Sequence, residues 1–464
     1  MEEKKTSLKV KTGYGIGAVG KDMVYMLSAS YILYYYQDLL GVSAWIMGVI
    51  LLVARVFDAF NDPFMGVIVA KTRTKWGKFR PWLFIGTITN AIVMYFMFAC
   101  PPTLTGGGLT AYAAVFYILW GMTYTMMDIP YWSMVPALTE GGKERENLSA
   151  LARSCAGVGS AIVTIITMLT VTALGRLFGG AGLTENQIEI VGFKYFALII
   201  AIVFILFITI TCVSIKENPT TDMKTASVKE MFKALIENDQ AMAVVIAIVL
   251  VNTAVYLTSN LLIYFFKYDL AGENWKGDYA LFNTFGGGMQ ILAMMIFFPI
   301  LRKFFNTVKM YYISVAAAVF GYLILLGLSL MGINNVFAFF VPGFFIFGAV
   351  GLLNVLVTVF LANTVDYGQL KNNRRDESVI FSMQTFVVKL ASGVSALLAS
   401  LCLQIFSISE DEEALTTVSG GSVVGLRMTM TLLPILGLVV AYMVFKKRFI
   451  LTDEKVKEIT EKLK

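Results

Sequence analysis

The chain contains no histidine, and only 15% of its 464 residues are charged. A soluble domain carries about 25%. Without imidazole, any titration near neutral pH falls to carboxylates and lysine. Cysteine is scarce as well. Cys100, Cys155, Cys212 and Cys402 sit far apart in apolar segments with no metal-ligand spacing, which excludes a disulfide framework and a thiolate metal site. A cleavable leader is not expected, because Met1 to Thr12 is polar and basic. The apolar run behind it is longer than the roughly 7–15 residues of a signal-peptide core. What the chain has in excess is apolar surface: 57% of residues are hydrophobic and the mean hydropathy is +0.73. Soluble proteins stay near 45–50%. So much apolar area calls for lipid as solvent. The formal charge of +6 lies mostly in connections, where it reads as a topology signal rather than a nucleic-acid-binding surface.

Apolar runs of about 20 residues, enough to span the hydrocarbon of a bilayer, fall at 14–40, 44–70, 82–101, 110–136, 148–175, 193–215, 241–267, 279–301, 309–331, 335–363, 378–406 and 424–447. The pattern predicts an all-α membrane protein with 12 transmembrane helices. The connections alternate in charge. Lys71, Arg73, Lys75, Lys78 and Arg80 follow the second run, Lys143 and Arg145 the fourth, and Lys216, Lys224, Lys229 and Lys233 the sixth. Arg302, Lys303 and Lys309 follow the eighth, Lys371, Arg374 and Arg375 the tenth, and Lys446, Lys447 and Arg448 the last. The intervening connections Leu40–Ser43, Pro101–Thr110 and Gly332–Asn335 hold no cation. Those after the fifth and seventh runs hold isolated ones such as Arg176 and Lys276, and the one after the eleventh carries Glu410, Asp411, Glu412 and Glu413. The positive-inside rule then places both termini in the cytoplasm. The expected organisation is a six-helix bundle over 1–215, a cytoplasmic loop over 216–240, a second six-helix bundle over 241–447 and a cytoplasmic tail over 448–464. This 6+6 layout is that of major facilitator transporters, whose substrate site lies near the midplane between halves.

Ionisable groups inside membrane helices are costly and mark functional sites. The second run carries Arg55, Asp58, Asn61 and Asp62. Asp58 and Asp62 share a face at i, i+4. Their carboxylates repel in low dielectric, and a cation or a proton relieves that. Oxygen ligands suit a hard ion such as Na+. The alternative is a structural ion pair with Arg55, although one arginine cannot neutralise two acids. The fourth run carries Tyr124, Thr125, Asp128 and Trp132. Tyr124, Asp128 and Trp132 form an i, i+4 stripe. An acid flanked by rings suits a sugar, since it accepts from hydroxyls while a ring covers the C–H face. For the two rings alone, helix packing is the competing reading. Thr125 on the neighbouring face offers a hydroxyl to a cation. A scattered set comprises Lys21, Asp22, Arg153 and Lys389, with Gln384 and Thr385 just before Lys389. The least costly arrangement gathers these round one wet cavity, against separate ion pairs near helix ends. Gly15, Gly17 and Gly20 fit G-x-G-x-x-G, but a charged tail precedes them and a membrane helix follows. Close helix packing is therefore expected instead of dinucleotide binding. No nucleophile–base pair or metal motif supports an enzyme.

These stretches make the chain recognisable: GYGIGAVGKD (13–22), LVARVFDAFNDPFMG (52–66), TRTKWGKFRPW (72–82), YILWGMTYTMMDIPYWSMVP (117–136), NTVDYGQ (363–369) and QTFVVK (384–389). From Gly13 to about Lys447 the chain resembles the glycoside–pentoside–hexuronide:cation symporters, and among them the sodium-coupled melibiose permeases. The resemblance implies Na+-coupled symport of a glycoside such as melibiose or another galactoside by alternating access. Li+ or H+ would be the other coupling ions, and another glycoside, pentoside or hexuronide the other cargo. It implies a cation site of Asp58, Asn61, Asp62 and Thr125. It implies a sugar site of Lys21, Asp22, Asp128, Trp132 and Arg153, with Tyr124 nearby. Lys389 would bridge toward the cation site, with Arg55, Gln384 and Thr385 in the same coupling group, and the Arg/Lys stretch 71–80 would be the conformational gate. The expected protein has no cofactor, acts as a monomer and resides in the inner cell membrane. It departs from melibiose permeases at Asn354 and Ala29, where they carry tryptophan and tyrosine.

Overall fold

The computed structural model describes residues 6–139, 142–180, 182–217, 233, 236–270, 274–373, 375–406 and 420–463. Most of the expected central loop, with Lys224 and Lys229, and the acidic run Glu410–Glu413 lie outside the described residues.

Each apolar run coincides with a helix. They are α1 (Leu8–Leu33), α2 (Ala44–Lys71), α3 (Arg80–Phe98), α4 (Gly106–Leu138), α5 (Gly142–Phe178) and α6 (Glu185–Ser214). Then come α7 (Asp239–Tyr264), α8 (Trp275–Leu292), α9 (Thr307–Leu330), α10 (Val336–Asn372), α11 (Glu377–Ile405) and α12 (Gly420–Arg448). π-Helical turns extend α1 over Tyr34–Leu39, α7 over Phe265–Leu270 and α8 over Ala293–Phe297. One further helix, α13 (Asp453–Lys462), occupies the expected tail. It buries Val456 and Ile459, and Asp453 at its start accepts bonds from Arg302 at 2.5 Å and from the Thr307 hydroxyl at 2.6 Å. Among the described residues, nine helices are long and apolar enough to cross a membrane. The long helices outside that set are α1, α2 and α4, which carry Lys21, Asp22, Arg55, Asp58, Asp62 and Asp128.

The chain divides into two compact units, Met1–Phe232 with Arg374–Phe386, and Lys233–Asn373 with Val387–Lys464. In the first, α1 packs on α5 and α6, α3 on α4 and α6, and α2 on α4. In the second, α9 packs on α10 and α12, α12 on α7, and α8 on α10. The glycines of the G-x-G-x-x-G stretch serve helix packing, as expected. A Cβ on Gly15 would stand 3.0 Å from Cys155 Sγ, and one on Gly20 would stand 3.0 Å from Phe207 Cβ. The Thr211 hydroxyl of α6 donates to the Gly13 carbonyl at 2.7 Å. All four cysteines are free.

The amino terminus of α3 has an anion built into it. The Glu217 carboxylate accepts from the backbone N–H groups of Lys78, Phe79 and Arg80 at 2.5, 3.1 and 2.8 Å. A helix start offers orphan donors and a positive dipole end, and a carboxylate satisfies both. Gly77 has φ +116, and a Cβ there would stand 2.5 Å from the Glu217 carboxylate carbon. Only glycine fits both the backbone angle and the space. Glu217→Ala is expected to cost about 2 kcal/mol, since several donors lose one acceptor together. Thermal unfolding in detergent checks this, and an unchanged Tm would refute it.

Candidate functional site

The acidic residues Asp22 of α1 and Asp128 of α4 converge on one amine. The Lys21 ammonium is 2.7 Å from Asp128 Oδ1, 2.9 Å from Asp22 Oδ2 and 3.2 Å from the Tyr124 hydroxyl. The ammonium donates to the Tyr124 hydroxyl and forms ion pairs with both carboxylates. Lys21 is only 3% exposed. Its charge is tolerated in the bundle because two carboxylates neutralise it. The Trp132 indole N–H donates to Asp128 Oδ1 at 3.1 Å, and the Arg153 guanidinium lies 3.8 Å from the Trp132 ring centroid. That separation is a cation–π stack. The set therefore balances two cations, Lys21 and Arg153, against two anions, Asp22 and Asp128.

All six residues implied for the sugar site are thus in one place: Lys21, Asp22, Tyr124, Asp128, Trp132 and Arg153. The i, i+4 stripe on α4 is what aligns Tyr124, Asp128 and Trp132 along it. Behind them a clasp joins α1 to α4. The Tyr14 and Tyr131 rings stack 4.4 Å apart, and each hydroxyl donates to the other residue's backbone carbonyl, at 2.6 and 2.7 Å. An aromatic wall extends from Tyr124 through Trp120, at 5.4 Å, to Tyr117, at 5.7 Å from Trp120, with Tyr25 of α1 alongside. Sequence reasoning missed Tyr25, Tyr117 and Trp120. The signal was present, because Tyr117, Trp120 and Tyr124 are spaced i, i+3, i+7 on one helical face.

The second cluster lies where α2 crosses α4. The Thr125 hydroxyl donates to Asp62 Oδ1 at 2.8 Å, and Asp62 is fully buried. The Asp58 carboxylate lies against Gly121, where a Cβ would come within 2.6 Å of Oδ1. The acid pair at i, i+4 on α2 therefore meets Gly121 and Thr125, an i, i+4 pair on α4. Asn61 lies on α2 between the two acids, its buried Nδ2 having no hydrogen-bond partner among the described atoms. Arg55 stands within electrostatic reach of Tyr25, Tyr117 and Asp58. Tyr124 and Thr125 are neighbours in the chain, so α4 forms a wall of both clusters.

The expected coupling residues on α11 are divided between units. Gln384 and Thr385 belong to the first, where Gln384 is buried and Thr385 donates to the Phe381 carbonyl at 3.2 Å. Lys389 falls in the second unit and is half-buried. The stretch 71–80 connects to the start of α11 within the first unit. The fully buried Glu377 pairs with Lys78 at 3.1 Å and Arg375 at 2.5 Å, and Arg375 also donates to the Pro136 carbonyl at 2.7 Å. Sequence reasoning did not single out Glu377. Arg427 lies seven residues into α12 and forms a two-pronged ion pair with Asp269. The expected start of that helix at 424 placed Arg427 near an end, and α12 begins at Gly420. Among the described residues no group of three His, Cys, Asp or Glu side chains is placed to hold a metal ion.

Residues 13–452 match the family of MFS/sugar transport proteins, and the chain belongs to that family. It is a multi-pass membrane transporter with the all-helical major facilitator fold, and not an enzyme. Among curated relatives, a lactose permease of Lactobacillus delbrueckii subsp. bulgaricus is 29% identical over 99% of this chain and 73% of its own length. An isoprimeverose transporter of Lactiplantibacillus pentosus is 28% identical over 84% of this chain and 78% of its own. A raffinose carrier protein of Pediococcus pentosaceus is 26% identical over 97% of this chain and 70% of its own. Among solved structures, the transporter FucP in an outward conformation aligns with a TM-score of 0.68 at 13% identity, over 96% of this chain and 98% of its own. The proton:xylose symporter XylE aligns at 0.65 and 11%, over 97% and 98%. At such identities the likeness concerns fold alone.

Proposed function

We propose that this protein is a cation-coupled symporter that carries a neutral glycoside, such as melibiose or another galactoside, together with Na+ by alternating access. Twelve helices span the cell membrane in this reading, and both termini are cytoplasmic. The observation that carries it is the pairing of Lys21 with Asp22 and Asp128, and its bond to Tyr124, beside the Arg153–Trp132 stack. Asp22 and Asp128 are the more open members, their side chains 19% and 11% exposed against 4% for Lys21. Their oxygens accept from sugar hydroxyls, while Lys21 and Arg153 hold them in place. Because the four charges cancel, a neutral solute enters without leaving an uncompensated ion in low dielectric. A hexuronide brings its own negative charge and upsets that balance.

Asp58, Asn61, Asp62 and Thr125 supply the cation's oxygens in this account. Na+ relieves the repulsion between the two carboxylates and steadies α4, whose Thr125 bonds Asp62 next to the Tyr124 that bonds Lys21. The two ligands thereby help each other, each raising the other's affinity by the same factor. The Lys78–Glu377–Arg375 network belongs to the gate.

Equilibrium binding of a glycoside panel tests the reading. Neutral glycosides are expected to bind, more tightly with Na+ present, and hexuronides to bind at least about tenfold more weakly, one buried charge left unpaired costing upward of 1.4 kcal/mol. A preference for hexuronides would contradict the charge argument.

A further inference from the structure

One feature of the first unit plays no part in either cluster. Where the ends of α1, α2, α3, α4 and α6 meet the connections Leu40–Ser43 and Pro101–Thr110, they border a half-open cavity of about 1180 Å3. That is room for roughly 40 waters at about 30 Å3 each. Its walls are mainly apolar, with Ile46, Phe98, Leu109, Ala114, Ile190 and Val191 among them. Water gains few hydrogen bonds in such a space, and the apolar phase at hand for a membrane protein is lipid.

Among the polar side chains of the cavity, Tyr35, Cys100 and Thr110 donate to backbone carbonyls, while Ser43, Thr105, Gln187 and Lys194 carry the remaining donors. Lys194 is the only ionisable side chain among its lining residues besides the weakly acidic Tyr35 and Cys100. Lys194 makes no ion pair among the described residues, and its ammonium lies 5.7 Å from the Tyr195 ring. Gln187 engages its side-chain carbonyl with the Thr184 N–H at 3.0 Å, which leaves its amide N–H groups to donate. Ser43 and Thr105, which also line the cavity, stand at helix starts without using their hydroxyls as caps. No carboxylate lines the cavity. An apolar volume bordered by one unpaired cation and several donors complements an amphiphile with an anionic head.

We propose that this cavity holds one phospholipid whose headgroup carries a net negative charge, with no cation of its own to oppose Lys194, an acyl chain along Ile46, Leu109 and Ile190 and its phosphate facing Lys194. The site is separate from the sugar and cation clusters, whose residues are absent from its lining. Its success or failure leaves the transport reading unaffected.

Native mass spectrometry of the full chain tests it, after release from nanodiscs with equal amounts of dioleoylphosphatidylglycerol and dioleoylphosphatidylcholine. The wild type is expected to retain one phosphatidylglycerol in preference to phosphatidylcholine. Lys194→Gln should reduce that preference about fivefold, the effect of one cation near an anionic headgroup. Lys194→Arg should keep it, and Ala114→Trp, which fills the cavity, should remove the retained lipid of either kind. Lys194→Gln should elute as a single monodisperse peak and unfold at the wild-type Tm, showing that the protein is folded. Equal retention of the two lipids by the wild type, or undiminished phosphatidylglycerol retention in folded Lys194→Gln, would overturn the proposal.

Discussion

Asp128→Ala lowers glycoside affinity by about 100-fold or more in equilibrium binding. The expectation follows from what Asp128 does at once. It accepts from Lys21 at 2.7 Å and from the Trp132 indole at 3.1 Å, and in the transport reading it also accepts from a sugar hydroxyl. Truncation leaves two buried donors short of an acceptor, and each such loss costs about 1–3 kcal/mol. It also leaves the local charges at two cations and one anion, which a neutral sugar cannot correct. Asp128→Asn should fall less far, since the amide oxygen still accepts from Trp132 while the charge is lost. The comparison separates hydrogen bonding from charge. If Asp128→Ala and Asp22→Ala both bound glycoside like the wild type, the sugar site assigned to α1 and α4 would be wrong.

The second large effect concerns the cation. Asp58→Cys should bind glycoside with affinity near that of the wild type without Na+, and Na+ should no longer tighten it. Coupling between two ligands typically amounts to 5–150-fold, and this variant should bring the factor to about one. Asp58 lies against Gly121, whereas Asp62 accepts directly from the Thr125 hydroxyl. Removing Asp58 therefore takes away a cation ligand while the Thr125–Asp62 bond still supports α4. Undiminished Na+ stimulation in this variant would place the cation elsewhere. Gain of H+ dependence in place of Na+ dependence would make a proton the coupling ion at this pair.

The helices were legible in the sequence wherever hydropathy follows the membrane, and the boundaries were not. The run expected at 148–175 is a helix from Gly142 to Phe178, because 142–147 is polar but keeps the helical path beyond the apolar zone. For the same reason α10 continues to Asn372, ten residues or so past its apolar run. A search for apolar stretches cannot see α13 at all. Its few apolar residues, Val456 and Ile459, repeat at helical spacing within a charged segment. Pattern at i, i+4 revealed Tyr124, Asp128 and Trp132, and separately Asp58 and Asp62, since those relations lie within one helix.

What the sequence left hidden is what depends on one helix meeting another. Lys21 was one of several scattered charges until α1 met α4 and brought it against Asp128, and Tyr25 entered the aromatic wall by the same contact. Lys78 and Glu377 are 299 positions apart, with nothing local to join them. Arg427 and Asp269 are 158 apart, again with nothing local to join them. The glycines at 15, 17 and 20 show the converse. Their role was read correctly from context, yet which residues they admit (Cys155, Thr211 and Phe207) required the packing of α1 on α5 and α6.

The most direct measurement is uptake of a labelled neutral glycoside into proteoliposomes under imposed ion gradients. An inward Na+ gradient should drive the sugar inside above its external concentration, and collapsing that gradient should release it. A protein that only equilibrates the sugar whichever ion gradient is applied, or moves none, would contradict the account.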